Sequence, residues 1–189
     1  MIEKEKIKKI VTDFLRIIGE NPEREGLKKT PERIYNMCCE VFCGNNKENL
    51  PSFDIFNEKE VSEKSFIVLE KIPFRSICEH HLLPFLGEVK IAYMPLNGRI
   101  LGFSKFVRIC NYFASRLQVQ ERLTNQIADF IFKNIPAKSV LTLINAEHLC
   151  MSIRGVKTLG NKTKTLAIRK KNDCDEEEFK LLKDLFLKQ

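Results

Sequence analysis

The spacing of apolar residues changes at Ser65, and this change limits the folds that the chain can adopt. Over residues 2–18, apolar side chains recur every three or four positions, which predicts an amphipathic helix. A second helix is predicted to begin with Thr30 as N-cap and Pro31 in its first turn, and to end near Gly44. The first part of the chain is therefore expected to be a pair of helices.

After Ser65, short apolar runs broken by proline and glycine are typical of antiparallel strands. The predicted strands cover residues 66–74, 89–93, 100–101 and 140–145. Ser104 is predicted to cap a long helix that reaches Ile135, with an interruption near 117–119, and residues 176–187 are predicted to form a last helix. These elements indicate an α+β protein with helices on one face of an antiparallel sheet. We expect a single domain over 1–189, with N-terminal helices over 1–45, a polar loop over 45–63 and the core over 64–189.

Composition narrows the classes of protein that the chain can belong to. Its 189 residues are 43% hydrophobic, enough for one core, and no apolar run approaches the eighteen or so residues of a membrane helix. The first residues lack the apolar core of a signal peptide, and seven cysteines are an odd number for a disulfide framework, so we expect a cytoplasmic protein. The formal net charge of +7 favours an anionic partner.

All three histidines lie in two short motifs that also contain a cysteine, Cys78-Glu79-His80-His81 and His148-Leu149-Cys150. Thiolate and imidazole are the ligands that zinc prefers, and three protein ligands with one open position are typical of catalytic zinc. Histidines beyond the ligands are candidates for proton transfer. The spacing alone leaves three interpretations open: a catalytic zinc, a structural zinc, and cysteines and histidines without a metal.

Four cations are placed where a compact polyphosphate would be held. Arg33 lies in the first turn of a predicted helix, Lys105 and Arg108 follow a second predicted helix start, and Arg154 follows Cys150 by four positions. Helix N-termini favour anions, whereas a nucleic-acid duplex would call for a continuous basic stripe. Glu121 is ambiguous by itself, since a carboxylate on a helix is usually solvated but is also able to accept from two adjacent N–H donors, as on the pyrimidine edge of guanine.

Five segments together resemble GTP cyclohydrolase I, the zinc enzyme family that opens pteridine biosynthesis. They are IGENPEREGLKKTPERI (18–34), CEHHLLPFLGEVKIAYMP (78–95), GFSKFVRI (102–109), RLQVQERLTNQIA (116–128) and AEHLCMSIRGV (146–156). The resemblance implies the tunnelling fold (T-fold), in which antiparallel sheets of several subunits join into a barrel. It also implies a homo-oligomer, a decamer of two pentameric rings, with active sites at the subunit interfaces.

The same resemblance implies roles for individual residues. Zinc would be held by Cys78, His81 and Cys150. His148 would protonate the purine N7, and His80 would serve as a second proton-transfer group.

The substrate contacts are implied in the same way. Glu121, with Gln120 nearby, would hold the guanine, and Ser104 would line the ribose and phosphate region. The triphosphate would be bound by basic side chains at four positions, namely Lys105, Arg108, Arg154 and Arg33, the last donated by a neighbouring subunit.

The activity so implied is the hydrolysis of GTP to 7,8-dihydroneopterin triphosphate and formate, the first step towards tetrahydrofolate, with Zn²⁺ as the cofactor and no nucleic-acid or membrane partner. The chain departs from the family pattern at Asn161, at Thr165-Leu166 and over 169–172. Two alternatives remain at this stage: a T-fold relative with altered activity, such as a nitrile reductase that uses a nucleophilic cysteine without zinc, and a non-catalytic, zinc-stabilised binding module.

Overall fold

The computed structural model describes residues 2–62 and 64–188. Its α-helices are α1 (Lys4–Ile17), α2 (Thr30–Val41), α3 (Phe103–Ala114), α4 (Gln120–Asn134), α5 (Leu149–Ser152) and α6 (Glu176–Leu187). Its strands are β1 (Ile55–Asn57), β2 (Ile67–Cys78), β3 (Pro84–Pro95), β4 (Arg99–Leu101), β5 (Leu117–Gln118), β6 (Ala137–His148) and β7 (Lys162–Lys170). Met1, Glu63 and Gln189 lie outside the described residues, and so do the expected domain ends at 1 and 189. The division into N-terminal helices and core stays a prediction.

The main sheet has five strands in the order β5-β2-β3-β6-β7. Neighbouring strands are antiparallel, apart from the short parallel pairing of β5 with β2. Because β2 and β6 are both antiparallel to β3, they run in the same direction, and their C-terminal ends lie at the same end of the sheet. This topology brings together two segments that are distant in the sequence.

Helices α3 and α4 pack on one face of this sheet, and a large apolar core lies between them and the strands. Its members include the fully buried Tyr93, Phe106 and Ile127. Strand residues that point the other way, such as Met94 and Leu141, form a smaller core with α6. The α+β class and the antiparallel sheet are confirmed, and the packing of α6 on the second face adds a layer that the sequence did not predict.

The two N-terminal helices pair as expected. Lys4 of α1 forms an ion pair with Glu32 of α2 at 2.7 Å. Helix α1 ends before Gly19, whose φ of +85° suits a residue without a side chain. Three apolar side chains of α1 are largely exposed, since Ile10 is 63%, Phe14 56% and Ile17 81% exposed.

Three local predictions were wrong in detail. Thr30 is the first residue of α2 rather than its N-cap, and its hydroxyl accepts a hydrogen bond from Arg33. Ser104 lies inside α3, whose N-cap is Gly102. The segment predicted as a loop contains β1, which pairs with β4 in a separate two-stranded sheet. In the described part of the chain, we find no helix with the length and apolar character needed to cross a membrane.

Candidate metal centre and its cleft

The two cysteine motifs meet at one end of the main sheet. Cys78 is the last residue of β2, while Cys150 lies in α5, directly after β6 ends at His148. A tight turn follows Cys78: its N–H donates to Leu83 O, and its carbonyl accepts from Leu82 N, both at 2.9 Å. Since β2 and β6 end on the same side, the turn and the short helix face each other.

Three of the predicted residues form a compact group of metal-binding atoms. The ligand atoms of Cys78, His148 and Cys150 lie within 4.8 Å of one another. The two sulfurs are 4.0 Å apart, too far for a disulfide of about 2.05 Å. A tetrahedral zinc with Zn–S bonds of about 2.3 Å requires a sulfur–sulfur distance of about 3.8 Å. The donor set and its spacing therefore fit a zinc-type ion.

Electrostatics at these residues follow from burial. Burial and the neighbouring Cys78 sulfur raise the pKa of the Cys150 thiol. A bound divalent cation acts in the opposite direction, because a coordinating thiol is deprotonated. Burial also lowers the pKa of His148, against a smaller opposing effect of the Glu121 carboxylate. His148 is therefore neutral at physiological pH in the absence of other charges.

The His148 ring is held on two sides. It stacks on Phe85 with ring centroids 4.7 Å apart and an interplanar angle of 2°. Its Nε2 lies 2.8 Å from Oε1 of Gln120, the first residue of α4. Gln120 is itself buried, with 1% of its surface exposed. This arrangement fixes the orientation of the ring.

The other two histidines are exposed on the turn after Cys78. The rings of His80 and His81 are perpendicular, with centroids 6.4 Å apart. Nη1 of Arg154 lies 2.7 Å from Nε2 of His81, and because the guanidinium is a donor, this ring nitrogen accepts. His81 lines the same cleft as the two cysteines but lies outside the compact group that contains His148.

These side chains line one cleft of about 460 Å³, a volume typical of small-molecule sites. Glu121, in the first turn of α4, and Arg154, in the segment after α5, both line this cleft. The structure thus brings eight of the twelve predicted residues to one cleft: Cys78, His80, His81, Gln120, Glu121, His148, Cys150 and Arg154. The cleft combines a candidate metal group, neutral imidazole, one carboxylate and one cation.

Four predicted residues do not line this cleft in the single chain. Ser104 lines a separate cleft against β2, and the Lys105 ammonium donates to Ser52 O at 2.9 Å. Arg108 is exposed on α3, and Arg33 is exposed on α2, where it donates to Gly26 O.

The sequence reasoning missed side chains that hold the two motifs in place. The carboxylate of Glu79 forms a two-pronged ion pair with Arg122 of α4, with N–O distances of 2.7 and 2.9 Å. Glu147 accepts from Ser152 Oγ at 2.8 Å and from Gly160 N at 3.1 Å, so its carboxylate joins both ends of the segment that carries Arg154. The segments that carry the resemblance include Glu79, Arg122, Glu147 and Ser152. The pairing of these side chains, however, is visible only in the fold.

Fold and site together define an α+β protein with a candidate cysteine–histidine metal centre at one end of its antiparallel sheet. A sequence profile described as GTP cyclohydrolase I matches residues 7–185. GTP cyclohydrolase 1 of Thermoanaerobacter pseudethanolicus is 50% identical over 169 residues, which cover 89% of each chain. The protein of the same name from Caldanaerobacter subterraneus is also 50% identical over 169 residues and 89% of each chain.

The chain belongs to the GTP cyclohydrolase I family, a family of hydrolases. The resemblance stated from the sequence is thereby confirmed. A solved structure of an archaeosine synthase QueF-Like in the apo form is 16% identical and covers 55% of this chain and 92% of its own, with a TM-score of 0.46. That similarity is too low to add an argument about fold or function.

Proposed function

We propose that this protein is a zinc-dependent GTP cyclohydrolase I, which converts GTP and water to 7,8-dihydroneopterin triphosphate and formate. The observation that carries this proposal is the convergence of Cys78, Cys150 and His148 in a cleft that also holds Glu121 and Arg154. Membership of the family supports the choice of substrate. Soft thiolates and imidazole favour zinc over magnesium or calcium as the bound ion.

We assign the zinc ligands as Cys78, His81 and Cys150, which leaves His148 for proton transfer. Zinc, when bound at such a site, lowers the pKa of a water molecule and supplies a nucleophile near neutral pH. His148 is half-buried, which lowers its pKa, and it lies beside the two cysteines, where it is placed to exchange a proton with the purine N7. His80, exposed in the same cleft, is the candidate for a second proton transfer.

The other residues of the cleft orient the substrate. Glu121 is exposed at the N-terminus of α4, and its two oxygens suit the N1–H and N2–H donors of guanine. Arg154 supplies a positive charge for the triphosphate, and in the free chain it donates to His81. Gln120, predicted as a guanine contact, is the exception, because its side chain is buried behind His148.

The hydrolysis balances with these groups. Water adds to C8 as N7 gains a proton, and the C8–N9 bond breaks. A second water releases C8 as formate, and the freed amine on the pyrimidine then closes onto the rearranged ribose with loss of one water. The net reaction therefore consumes one water for each GTP.

We also propose that the working site is shared between copies of this chain. Ser104, Lys105, Arg108 and Arg33 do not line the cleft of the single chain, although the family resemblance assigns them to substrate. Two sheet edges support assembly. Strand β7 is an outer strand of the sheet, and β5 pairs only with the end of β2, so among the described residues no further strand covers the outer side of β7 or of residues 67–76 in β2. Unpaired edges favour pairing with another copy, as in a barrel of several subunits. A decamer and a cytoplasmic location stay predictions.

The experiment for this proposal identifies the products. Purified protein is incubated with GTP labelled at C8, released formate is counted, and the pterin is oxidised and detected by its fluorescence. We expect both products in equal amounts from the natural chain and neither from Cys150→Ser. Formate without a pterin would contradict the proposed reaction, because it would indicate ring opening without closure, and turnover by Cys150→Ser would contradict the proposed metal site.

A further inference from the structure

The side chain of Gln120 is fully engaged inside the protein. Its Nε2 lies 2.9 Å from Thr163 O, 3.0 Å from Thr165 Oγ1 and 3.2 Å from Ile144 O. Its Oε1 lies 2.8 Å from Nε2 of His148. With 1% of its surface exposed, the residue has neither a free N–H nor an open face for a substrate.

These contacts determine which end of the amide faces His148. If the amide were turned over, its oxygen would face two carbonyl oxygens, those of Ile144 and Thr163, and three acceptors would meet without a hydrogen between them. The NH₂ group therefore points to the strands, and the oxygen points to His148. Because an amide oxygen only accepts, Nε2 of His148 carries the hydrogen.

This hydrogen selects one form of the neutral imidazole. With the proton on Nε2, the free lone pair of His148 is on Nδ1. Nδ1 is then the ring atom that exchanges a proton with substrate, or that binds a metal if His148 serves as a ligand. The stacking on Phe85, with an interplanar angle of 2°, restricts rotation of the imidazole about its Cβ–Cγ bond.

The hydroxyl that accepts from the amide is held in turn by a second threonine. Thr124 Oγ1 lies 2.6 Å from Thr165 Oγ1 and donates to the main-chain oxygen of Gln120 at 2.7 Å. Thr165 belongs to β7 and Thr124 to α4, so this contact joins the strand to the helix behind the site. Thr165 is also one of the positions where this chain departs from the family pattern.

We infer that Gln120 is a positioning residue that fixes the tautomer of His148, with its amide held by Thr165, and that it does not contact the guanine. The inference rests on the proposed function only for its kinetic consequence. The location of the ring proton is a property of the chain itself and is measurable without turnover. Partners of this kind behind a catalytic or ligating histidine contribute about 10–100-fold to activity or metal affinity.

The first test locates the proton. The chain has three histidines, so protein labelled with ¹⁵N in histidine gives three sets of ring signals in magic-angle-spinning NMR. His148→Gln identifies the set that belongs to His148. We expect a proton on Nε2 of His148, with slow exchange, in metal-free and zinc-loaded protein alike. An unprotonated Nε2 would overturn the inference whatever the activity.

The second test separates positioning from substrate binding. Gln120→Met keeps the volume but removes the acceptor, so we expect the protected Nε2–H signal to be lost, kcat to fall by about 10–100-fold, and KM to change by less than about threefold. A rise in KM with kcat kept would show a guanine contact and overturn the inference. Thr165→Val should give a smaller fall in kcat than Gln120→Met, whereas Thr165→Ser, which keeps the hydroxyl, should remain near the natural chain.

A matched control covers the loss of a buried amide. Gln118 is also fully buried, but its Nε2 donates to Phe113 O and Gln126 Oε1 and not to a histidine. Gln118→Met should lower stability like Gln120→Met while the His148 signal is retained. Loss of that signal in both variants would mean that packing alone holds the ring, which would also overturn the inference. A natural chain with the proton on Nε2 but no GTP turnover would contradict the proposed function and leave the tautomer assignment intact.

Discussion

The sulfurs of Cys78 and Cys150 lie 4.0 Å apart although 72 positions separate these residues in the chain. The distance follows from sheet topology, because β2 and β6 are both antiparallel to β3 and end on the same side. It lies close to the sulfur–sulfur edge of a zinc tetrahedron, about 3.8 Å. The sheet topology itself therefore holds these two sulfurs at a distance that suits zinc.

Histidine substitutions decide which imidazole completes the metal site. We expect His81→Ala to lose zinc and His148→Ala to keep zinc but lose turnover, because His148 is assigned to proton transfer. Zinc per chain, measured by mass spectrometry after gel filtration, gives the answer, with His80→Ala as a variant of the same turn that should retain the metal. Loss of zinc from His148→Ala, with retention in His81→Ala, would make His148 the third ligand, which its place in the compact group would allow.

The ion pair between Glu79 and Arg122 is expected to preorganise the turn that carries Cys78 and His81. Glu79→Gln and Arg122→Gln should each weaken zinc retention by up to about tenfold, and the double variant should be no worse than either single variant, because both remove the same interaction. Competition with a chelator measures the affinity. Arg24→Gln, which breaks an exposed pair with Glu20, is the control and should have no effect. Additive losses would mean that the two residues act independently.

The ion pair between Asp129 and Arg169 should make stability depend on pH. The Arg169 guanidinium lowers the pKa of Asp129, against a smaller opposing effect of burial. The stabilisation is therefore present above the unfolded pKa of about 3.9 and is lost as the pH falls through the lower folded value. Because the Asp129 side chain is 42% exposed, Asp129→Asn should cost no more than about 1 kcal/mol at pH 7.

Urea unfolding at a fixed protein concentration measures this effect. The difference between the natural chain and Asp129→Asn should shrink as the pH falls below about 4. Asp13→Asn removes a carboxylate that pairs with Arg16 within one helix and so controls for net charge. A difference that stays constant down to pH 3 or so would show that the two residues contribute by packing and not by charge.

Mixed oligomers test whether the site is shared. Lys105→Ala and His148→Ala should each be inactive alone. Reassembled together, they should recover up to about a quarter of the natural activity, because about a quarter of the shared sites combine an unaltered Lys105 from one subunit with an unaltered His148 from the other. Arg33→Ala mixed with His148→Ala should behave in the same way. Mass spectrometry of differently tagged subunits establishes mixing. No recovery in a proven mixture would place both residues in the site of one subunit.

Local sequence patterns were sufficient to predict the positions of most of the helices. Helix α6 occupies residues 176–187, as the apolar spacing and the acidic first turn predicted, because both signals act within a few turns of one helix. The break between α3 and α4 was also predicted near residues 117–119. By contrast, β1 was missed because its pairing with β4 depends on residues more than forty positions away.

The site shows the same division between local and distant information. The motifs predicted the cysteines and the histidines, because their chemistry is visible in the residue types. Glu121 was ambiguous by its residue type, and the family resemblance assigned it, with Gln120 nearby, to the guanine. Its burial depends on Thr163 and Thr165 of β7, about forty positions further along the chain, and no pattern in the sequence connects these residues.

The most direct test of the account is a zinc titration of activity. The natural chain is stripped with a chelator, zinc is returned in steps, and bound zinc and the rate of dihydroneopterin triphosphate formation from GTP are measured in the same samples. We expect activity to rise in proportion to bound zinc and to level off near one zinc per chain, with Cys78→Ser neither binding nor recovering. Full activity in zinc-free protein, or bound zinc in Cys78→Ser at the natural level, would contradict a zinc centre built on Cys78 and Cys150.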